Sequence, residues 1–579
     1  MSWGRSRPAH RPFALEALEA RVLLSGAPVE SAVDSADHDF NADAQVMTAG
    51  LGWADSSDAS VSTTAHLEGA DTGGWLGDLG SLATLEAVSD SSPDTMVSAT
   101  EVAEPSRPRS GRPGLQADPA SGTISTDTTW SGTVVVTGDL TVALGVRLTV
   151  QAGTVVKFQG KMGMTVLGTL VVQGTAEAAV RFTSVNDDAV GEDLTGAPIG
   201  APRAGGWEGL VISGAGSDAS VLNQLEVRYA GNREGPTASA ANHVPAVSLQ
   251  NTAATLREVR VYDARSTGIR LQGGTPTLEG VDFRRVGSWP VSMDLDSAPK
   301  LSRLTASEST LFGILVDRGT LSASRTWDST ALPYIFPGAG RYADIGVQVP
   351  EGVQWTLKPG VVIKLADEMW ITVAGTLTAV GTPDQPVIFT STQDDSVGGD
   401  SLGNGSEGGN SARPGDWESL YFTSTSGASR LEHAEIRYAG NLYGPSDSAT
   451  HNRPAISLSS TDLTLESVRI ENVRSTGIRI TGGSPVVRDV VFAGTAGWPV
   501  RIDLASNPLL RNLDASGSAL KGVVVDNGEL PGDRTWDVTG LPYVLTGAAR
   551  YADVFVRIPV GITLTLKPGV VVKLADEMQ

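Results

Sequence analysis

Two short segments of the chain place aspartates side by side. They are Asp187-Asp188 in VNDDAVGED and Asp394-Asp395 in TQDDSVGGD. Neighbouring carboxylates can share a proton, as the acid and base of a hydrolase do, or hold a metal ion between them. A third interpretation is an acidic turn that binds nothing, and all three stay open at this point.

Calcium is the metal that these segments would suit. The second one continues as DDSVGGDSLGNGSEGGN, which offers many oxygen ligands to a hard cation that takes about 6 to 8 of them. Against an EF-hand-like pattern, Leu402 occupies a ligand position and Ser411 replaces the closing glutamate. The prediction is a chain without a cofactor, and calcium is the alternative. Its candidate ligands are Asp187, Asp188, Asp394, Asp395 and Asp400.

Four aromatic residues recur near predicted loops, and they are Trp207, Trp417, Tyr229 and Tyr438. Aromatic faces can stack on carbohydrate rings, so these side chains are candidates for a sugar-binding surface. Trp and Tyr also fill the corners of all-β proteins and cap their cores. Packing is therefore the alternative role for all four.

The composition limits the classes of function. The 579 residues carry a net charge of −22, which argues against nucleic acid as a partner, since phosphate binding needs a basic face. The absence of cysteine excludes disulfides and thiolate chemistry. No stretch reaches the roughly 18 to 20 continuous apolar residues that a membrane-spanning helix requires. The 67 glycines and 6% aromatic residues favour short strands and tight turns.

Composition and repetition divide the chain into five parts. Residues 1–26 are basic for their size, and residues 27–120 are predicted to be a disordered acidic spacer. Between residues 27 and 100 there are thirteen acids and neither lysine nor arginine, so this stretch repels itself and cannot offset its ordering entropy. Residues 121–325 and 326–534 are two copies of one repeat. Residues 535–579 begin a third copy that stops within a turn, which is expected of a fragment, of a truncated reading frame or of an end that docks on another chain.

The copies share several identical segments at one spacing. The hexapeptide RSTGIR begins at Arg265 and again 209 residues later at Arg474, and the YAGN and RTWD segments repeat at the same distance. A step of 22 residues lies inside each copy and relates Val247, Ile269 and Val291. Short alternating strands that recur at this step are typical of a parallel β-helix, in which one turn stacks on the next about 4.8 Å away.

Charged residues test the stacking, because side chains 22 positions apart should meet. Arg257 lies 22 residues before Glu279, and the matching columns of the second copy hold Glu466 and Arg488 with the signs exchanged. We predict both ion pairs. Arg260 and Asp282 have the same spacing, so they are predicted to pair as well. One contact does not fit, because Arg479 would stack on Arg501.

These relations interpret RSTGIR as architecture rather than chemistry. Ile269 and Ile478 should point into the core, Arg270 and Arg479 toward solvent, and the glycine should serve a turn. Histidine supports no repeated site, because His243 aligns with Asn452, whereas a general base or metal ligand should keep its place.

Two resemblances add to these inferences. The segment ALEARVLLSG, at residues 17–26, resembles the LEPR-XLL motif of large surface and secreted proteins of planctomycetes and other bacteria, although Ala20 stands where that motif has proline. The segments LTVQAGTVVKF, WTLKPGVVIKL and LTLKPGVVVKL resemble pectin-lyase-like, right-handed β-helix modules of bacterial surface proteins. The first resemblance implies export, and the second implies an all-β, right-handed parallel β-helix whose activity the fold does not fix.

The sequence therefore predicts an exported or cell-surface structural or adhesive repeat protein. At about 22 to 25 residues a turn, the rod would have roughly 17 turns and be on the order of 80 Å long. Its partner, an extracellular carbohydrate or another surface protein, would dock at the insertions at 185–206, 230–244, 392–416 and 439–453. The alternative is a polysaccharide lyase or glycoside hydrolase. Polygalacturonase-type β-helices use a similar Asp-Asp pair, but the Gly-His-Gly and Arg-Ile-Lys segments of that family do not follow here.

Overall fold

The computed structural model describes residues 118–193, 201–237, 239–338, 346–405, 411–441, 452–546 and 556–575. All of them belong to the unit Pro108–Gln579. The predicted export segment and nearly all of the predicted spacer lie outside the described residues. Among the described residues, no helix is long and apolar enough to cross a membrane.

The described residues form short strands joined by tight turns. In the first copy these are β1 Asp118–Ile124, β2 Thr128–Trp130, β3 Thr133–Val142, β4 Arg147–Val150, β5 Val155–Phe158, β6 Met164–Val166, β7 Thr169–Gln173, β8 Val180–Ser184, β9 Leu210–Ser213, β10 Val221–Asn223, β11 Leu225–Arg228, β12 Val247–Thr252, β13 Thr255–Arg257, β14 Arg260–Tyr262, β15 Ile269–Gly274, β16 Thr277–Glu279, β17 Asp282–Arg284, β18 Val291–Met293, β19 Lys300–Ser302, β20 Thr305–Ser307, β21 Ile314–Val316, β22 Gly319–Thr320 and β23 Arg325–Trp327. Two 3₁₀ turns lie at Ala215–Ser217 and Ala240–Asn242.

The remaining strands belong to the second copy and the start of the third. They are β24 Tyr334–Phe336, β25 Val347–Val349, β26 Gln354–Leu357, β27 Val362–Leu365, β28 Ile371–Val373, β29 Thr376–Val380, β30 Val387–Ser391, β31 Leu420–Phe422, β32 Arg430–Glu432, β33 Ala434–Arg437, β34 Ile456–Ser459, β35 Thr464–Glu466, β36 Arg469–Glu471, β37 Ile478–Thr481, β38 Val486–Ala493, β39 Val500–Ile502, β40 Leu509–Gly517, β41 Val523–Val525, β42 Gly528–Glu529, β43 Arg534–Trp536, β44 Tyr543–Leu545, β45 Val556–Arg557, β46 Leu564–Leu566 and β47 Val572–Leu574.

In the described residues, strands pair in parallel with strands one turn earlier or one turn later, which confirms the predicted all-β parallel β-helix. Along the first copy, one ladder runs β2-β4-β7-β10-β13-β16-β19. The register is the predicted one: Val247 pairs with Ile269, and Ile269 with Val291. In the second copy Ile456, Ile478 and Val500 form the equivalent column. The 22-residue period is therefore one turn of the helix.

One long ladder joins the two copies. It runs through β9-β12-β15-β18-β21 in the first copy and continues in the second copy as β24-β27-β30-β33-β36. The contact between copies is the pairing of Ile314 with Tyr334 and of Leu315 with Ile335. A second ladder, β22-β25-β28-β31-β34-β37-β39-β41-β44-β47, begins beside this junction. The two copies therefore form one continuous stack.

The core is a column of aliphatic and aromatic side chains from alternate strand positions. Ile269, Ile478, Phe283 and Phe492 have no exposed surface. Alternation buries every second residue of a short strand and leaves the others on the outside of the rod. Burial of this column in successive turns stabilises the stack, because a single turn alone could not bury its apolar face.

The charge pairs confirm the stacking, with one exception. Arg257 lies 3.4 Å from Glu279, and Arg488 lies 2.6 Å from Glu466. The predicted Arg260–Asp282 pair is wrong, although the two residues are in register.

Each member of that pair takes another partner. Arg260 lies 3.3 Å from Glu226, while Asp282 accepts hydrogen bonds from Tyr262 and Thr305. The ladder register thus fixes which side chains are neighbours, and local competition decides which of them pair.

A shared acid resolves the like-charge contact that the sequence left unexplained. Arg479 and Arg501 are register neighbours, and both guanidinium groups reach Asp526, at 3.5 and 2.6 Å. In the first copy Arg270 pairs with Asp317, which lies 209 residues before Asp526. The arginine of RSTGIR is therefore held in an ion pair on the outer face of the ladder.

The glycine of RSTGIR is required by close packing and not by turn geometry. A Cβ on Gly268 would lie 2.6 Å from the carbonyl oxygen of Pro290 and 2.8 Å from the ring of Phe283. A Cβ on Gly477 would meet Phe492 and Pro499 at 2.7 Å. The hexapeptide passes so near the next turn that any side chain at this position would separate the turns.

Candidate functional site

A buried lysine lies beneath each pair of aspartates. Lys157 in β5 and Lys364 in β27 have no exposed surface, although each lies between two residues that point into the core. Each lysine side chain therefore leaves its strand on the outer side, and the acidic loop that follows covers the ammonium group. The Nζ of Lys157 donates to the carbonyl oxygen of Glu192, and the Nζ of Lys364 to that of Gly399, both at 2.6 Å.

The carboxylates of the loops face these ammonium groups. Burial lowers the pKa of Lys364 to about 8, while the negative charges of Asp395, Asp394 and Asp400 oppose that shift. Burial likewise lowers the pKa of Lys157, with Asp188 and Asp187 among the opposing charges. The positive charge at the centre of each loop is thus supplied by the chain itself.

The first aspartate of each pair is sealed inside its loop. Asp187 and Asp394 have no exposed surface. Thr183 donates to Asp187 at 2.7 Å, and Thr390 donates to Asp394 at 2.6 Å. These carboxylates close their own loops, so neither one is presented to a substrate.

The structure does not assemble the predicted calcium site. In the described part of both loops, no group of three or more acidic or histidine side chains could hold a metal ion. Asp400 instead accepts the backbone N–H groups of Leu402, Gly403 and Gly405. Within the described residues, Asp187, Asp188, Asp394, Asp395 and Asp400 therefore form no acidic cluster of the kind that binds calcium.

The two tryptophans proposed for sugar stacking are core residues, so that prediction is corrected. Trp207 and Trp417 have no exposed surface. Their indole N–H groups donate to the carbonyl oxygens of Arg228 and Arg437, each at 2.7 Å. The ring of Trp207 also stacks on Phe158, 4.0 Å between centroids. A sugar ring cannot reach either face.

The two tyrosines mark sharp bends rather than open platforms. Tyr229 and Tyr438 both adopt a left-handed backbone, with φ of 60° and 61°. Their carbonyl oxygens accept from Gly206 and Gly415, which belong to the loops that lead to the buried tryptophans. Tyr438 is buried and Tyr229 half-buried. Both residues thus connect the loop ends to the stack.

The histidine that changes position between copies is a hydrogen-bond acceptor. Arg265 donates to the Nε2 of His243 at 3.0 Å, and in the second copy Arg474 donates to the Oδ1 of Asn452 at 3.3 Å. The two positions need only an acceptor, which explains why histidine and asparagine interchange. His451 lies outside the described residues.

A cavity of about 580 Å³ opens on the outer face of the rod where the two copies meet. Its wall includes Trp289 from the first copy and Ile335, Asp367, Arg413 and Asp416 from the second. None of the residues predicted as site residues lines it. The residues that do line the cavity gave a weak signal in the sequence, because they come from four separate turns. No short motif contains both Asp367 and Asp416.

Asp416 is the most constrained polar group of this cavity. It is 9% exposed, and its Oδ2 accepts from the hydroxyl of Ser391 at 2.7 Å and from the backbone N–H of Arg413 at 2.9 Å. Burial raises the pKa of Asp416, and the nearby charge of Asp367 also raises it. Within the described chain, Oδ1 accepts no hydrogen bond.

The comparisons with known proteins give only distant structural likenesses. No family model and no curated protein sequence matches the chain. The catalytic domain of a GH87 alpha-1,3-glucanase, solved with tetrasaccharides, is 10% identical with a TM-score of 0.25, over 75% of this chain and 64% of that domain. The surface protein and adhesin PfbA of Streptococcus pneumoniae is 11% identical with a TM-score of 0.16, over 71% of this chain and 92% of that one. Neither likeness carries an inference about function.

Proposed function

We propose that the chain is an exported or cell-surface structural and adhesive protein, in which a β-helix rod presents loops to a partner outside the cell. One observation carries this proposal. The residues that could have done chemistry twice, Asp187 and Asp394, have no exposed surface, and each accepts a threonine hydroxyl and lies near a guanidinium group, at 3.9 and 3.7 Å. The two copies therefore repeat the residues that hold an acidic loop against the rod.

The surface of the rod supports the same role. Its outer faces carry ladders of ion pairs, such as Arg257 with Glu279 and Arg488 with Glu466. Each exposed pair contributes little stability, because water and salt screen charges at the surface. These pairs place charged groups along the outer faces of the rod. A rod built from repeated modules extends reach and multiplies weak contacts with a repetitive partner.

The location rests on the N-terminal segment ALEARVLLSG at residues 17–26, which resembles a motif of exported bacterial proteins. The acidic composition of residues 27–100 suits a spacer between that segment and the rod. Together these features support attachment to, or release from, the cell surface.

The location is tested in the organism that encodes the chain. Intact cells are treated with a protease that cannot enter them, and the rod is followed with an antibody. We expect the rod to be degraded on intact cells or recovered from the medium. A variant that lacks residues 17–26 should remain inside the cell. Recovery of the unaltered chain only from the cytoplasm would refute the proposal.

The adhesive role is tested against the enzymatic alternative. Purified rod is incubated with a panel of neutral polysaccharides and uronic-acid polymers, and both binding and chain cleavage are measured. We expect binding to isolated cell envelopes without shortening of any polymer. Turnover that Asp394→Ala abolishes would identify a lyase or hydrolase and would overturn the adhesive role.

A further inference from the structure

The cavity at the junction of the copies has the features of a small-ligand site. Its volume of about 580 Å³ falls within the range of about 300–1,000 Å³ that such sites occupy. Its wall combines an aromatic ring with apolar and polar residues in similar number, so both stacking and hydrogen bonds are available to a ligand. Each part of the wall contributes a different interaction.

The base of the cavity lies against the outer side of strand β24. Ile335 lies in β24 between Tyr334 and Phe336, which belong to the core, whereas Ile335 does not. It is nevertheless only 1% exposed. The acidic loop of the second copy folds toward this face, and the backbone N–H of Phe312 donates to Ser401 in that loop at 3.1 Å. The cavity therefore exists because the second copy reaches back over the end of the first.

Trp289 supplies the aromatic part of the wall. It comes directly before β18 and is half-buried, unlike Trp207 and Trp417, so part of its indole faces the cavity. A flat apolar ring suits the face of a pyranose, on which several C–H bonds point in the same direction. This is the role that the sequence assigned to the wrong tryptophans.

The polar groups of the wall can both accept and donate hydrogen bonds. Asp367 and Asp416 present carboxylate oxygens, and the Oδ1 of Asp416 is left open by its described partners. Arg413 and Gln393 present donors. The carboxylate of Asp416 disfavours an anionic ligand, and the guanidinium of Arg413 disfavours a cationic one. A neutral molecule with several hydroxyl groups satisfies both kinds of wall group.

We propose that the junction cavity binds a neutral saccharide, with Trp289 as the stacking surface and with Asp416 as the acceptor for one of its hydroxyl groups. This inference rests on the proposed adhesive function and names the class of its ligand. The first copy contains no equivalent site, because Gly160 and Gly206 occupy the positions of Asp367 and Asp416.

The test uses the whole chain and calorimetric titration with neutral tetrasaccharides of glucose, galactose, mannose and N-acetylglucosamine. Oligogalacturonate and chitosan oligomers serve as the anionic and cationic probes. We expect at least one neutral tetrasaccharide to bind. Trp289→Ala should weaken binding about tenfold or more, which corresponds to about 1.4 kcal/mol. Asp416→Asn should weaken it severalfold.

A matched pair of arginines is the control. Arg413→Ala removes a donor from the cavity wall and should weaken binding, whereas Arg203→Ala changes the aligned arginine of the first copy and should leave binding unchanged. Trp289→Phe distinguishes lost stacking from misfolding, because it keeps an aromatic face and should retain part of the affinity. Circular dichroism of each variant verifies the fold.

Three results would overturn the saccharide inference: no neutral tetrasaccharide binds, binding survives Trp289→Ala, or only chitosan or oligogalacturonate binds. These results are separable from a failure of the proposed function. A chain found at the cell surface that binds none of the neutral probes disproves the ligand class alone. A chain that binds and cleaves a neutral probe supports the cavity as a saccharide site and overturns the adhesive role.

Discussion

The acidic loop after β8 and the acidic loop after β30 are built on the same plan but completed differently. In both, a buried lysine donates to a loop carbonyl and a threonine closes on the first aspartate. In the second copy Ser396 also donates to the Oδ1 of Asp394 through its backbone and its hydroxyl. Ala189 occupies that position in the first copy, and the buried Oδ1 of Asp187 has no hydrogen-bond partner.

The same contrast holds where each loop returns to the stack. Asp416 in the second copy is replaced by Gly206 in the first. Around Gly206 there is little room, since a Cβ there would lie 2.9 Å from the hydroxyl of Ser184. The buried lysine, the threonine and the first aspartate of the pair therefore form a frame that both loops share. The groups added to that frame in the second copy are where a specific activity could develop.

The largest predicted effect tests whether the aligned tryptophans are equivalent. Trp207→Ala and Trp417→Ala should each lower the free energy of unfolding by about 3–5 kcal/mol, because each removes a fully buried indole from a packed core. Urea unfolding gives the size of the loss, and hydrogen exchange locates it in the copy that carries the substitution. A small loss for either variant would show that its indole is not part of the core.

A second prediction concerns the buried lysine of the second copy. The pKa of Lys364 is about 8 in the folded chain, against 10.5 as the ordinary value. Below pH 8 the lysine is charged in both the folded and unfolded states, and above pH 10.5 it is neutral in both. Between these limits the unfolded chain alone holds the proton, so stability from this group rises with pH, by an amount on the order of 3 kcal/mol.

The measurement compares wild type with Lys364→Met by urea unfolding between pH 7 and pH 10.5. The stability of wild type relative to the variant should increase across this interval. Lys157→Met should show a change in the same direction, because burial lowers the pKa of Lys157 too. An unchanged difference across the interval would mean that water reaches the ammonium group of Lys364.

The smallest predicted effect exchanges the residue that distinguishes the loops. Ser396→Ala should destabilise the second copy by about 1 kcal/mol, because it removes the hydroxyl that donates to Asp394. Ala189→Ser should stabilise the first copy by a similar amount by giving Asp187 a donor. Unfolding midpoints of the two single variants and the double variant test the exchange. A loss of stability in Ala189→Ser would show that Oδ1 of Asp187 does not need this donor.

Much of the fold could be predicted from the sequence, because the 22-residue period encodes neighbours directly. Val247, Ile269 and Val291 pair as predicted, and Arg257 meets Glu279. The Arg260–Asp282 pair failed because Glu226, from the preceding turn, offers Arg260 another carboxylate. The repeat period predicts which residues are adjacent. It does not predict which of two neighbouring carboxylates, Glu226 or Asp282, pairs with Arg260.

Less of the candidate site could be predicted. The sequence identified the acidic loops as unusual but assigned them a metal or a proton, and it did not identify Lys157 or Lys364. Both lysines precede their aspartate pair by 30 residues, which is a signal that was available. The insertion at 392–416, predicted as a docking position, does contribute part of the wall of the junction cavity. The remainder offered no signal, since Trp289 and Asp416 are separated by more than a hundred residues and meet only through stacking between copies.

The sequence by itself determined the rod, its repeat and which side chains point inward or outward. Each of these follows from the 22-residue spacing of similar residues along the chain. Only the tertiary structure decided which polar groups are enclosed and which are open. Burial depends on how a loop folds over a strand from another turn, as the second acidic loop does over Lys364 and toward Ile335. That covering places Trp417 inside and Trp289 at a cavity, although both are tryptophans beside a loop.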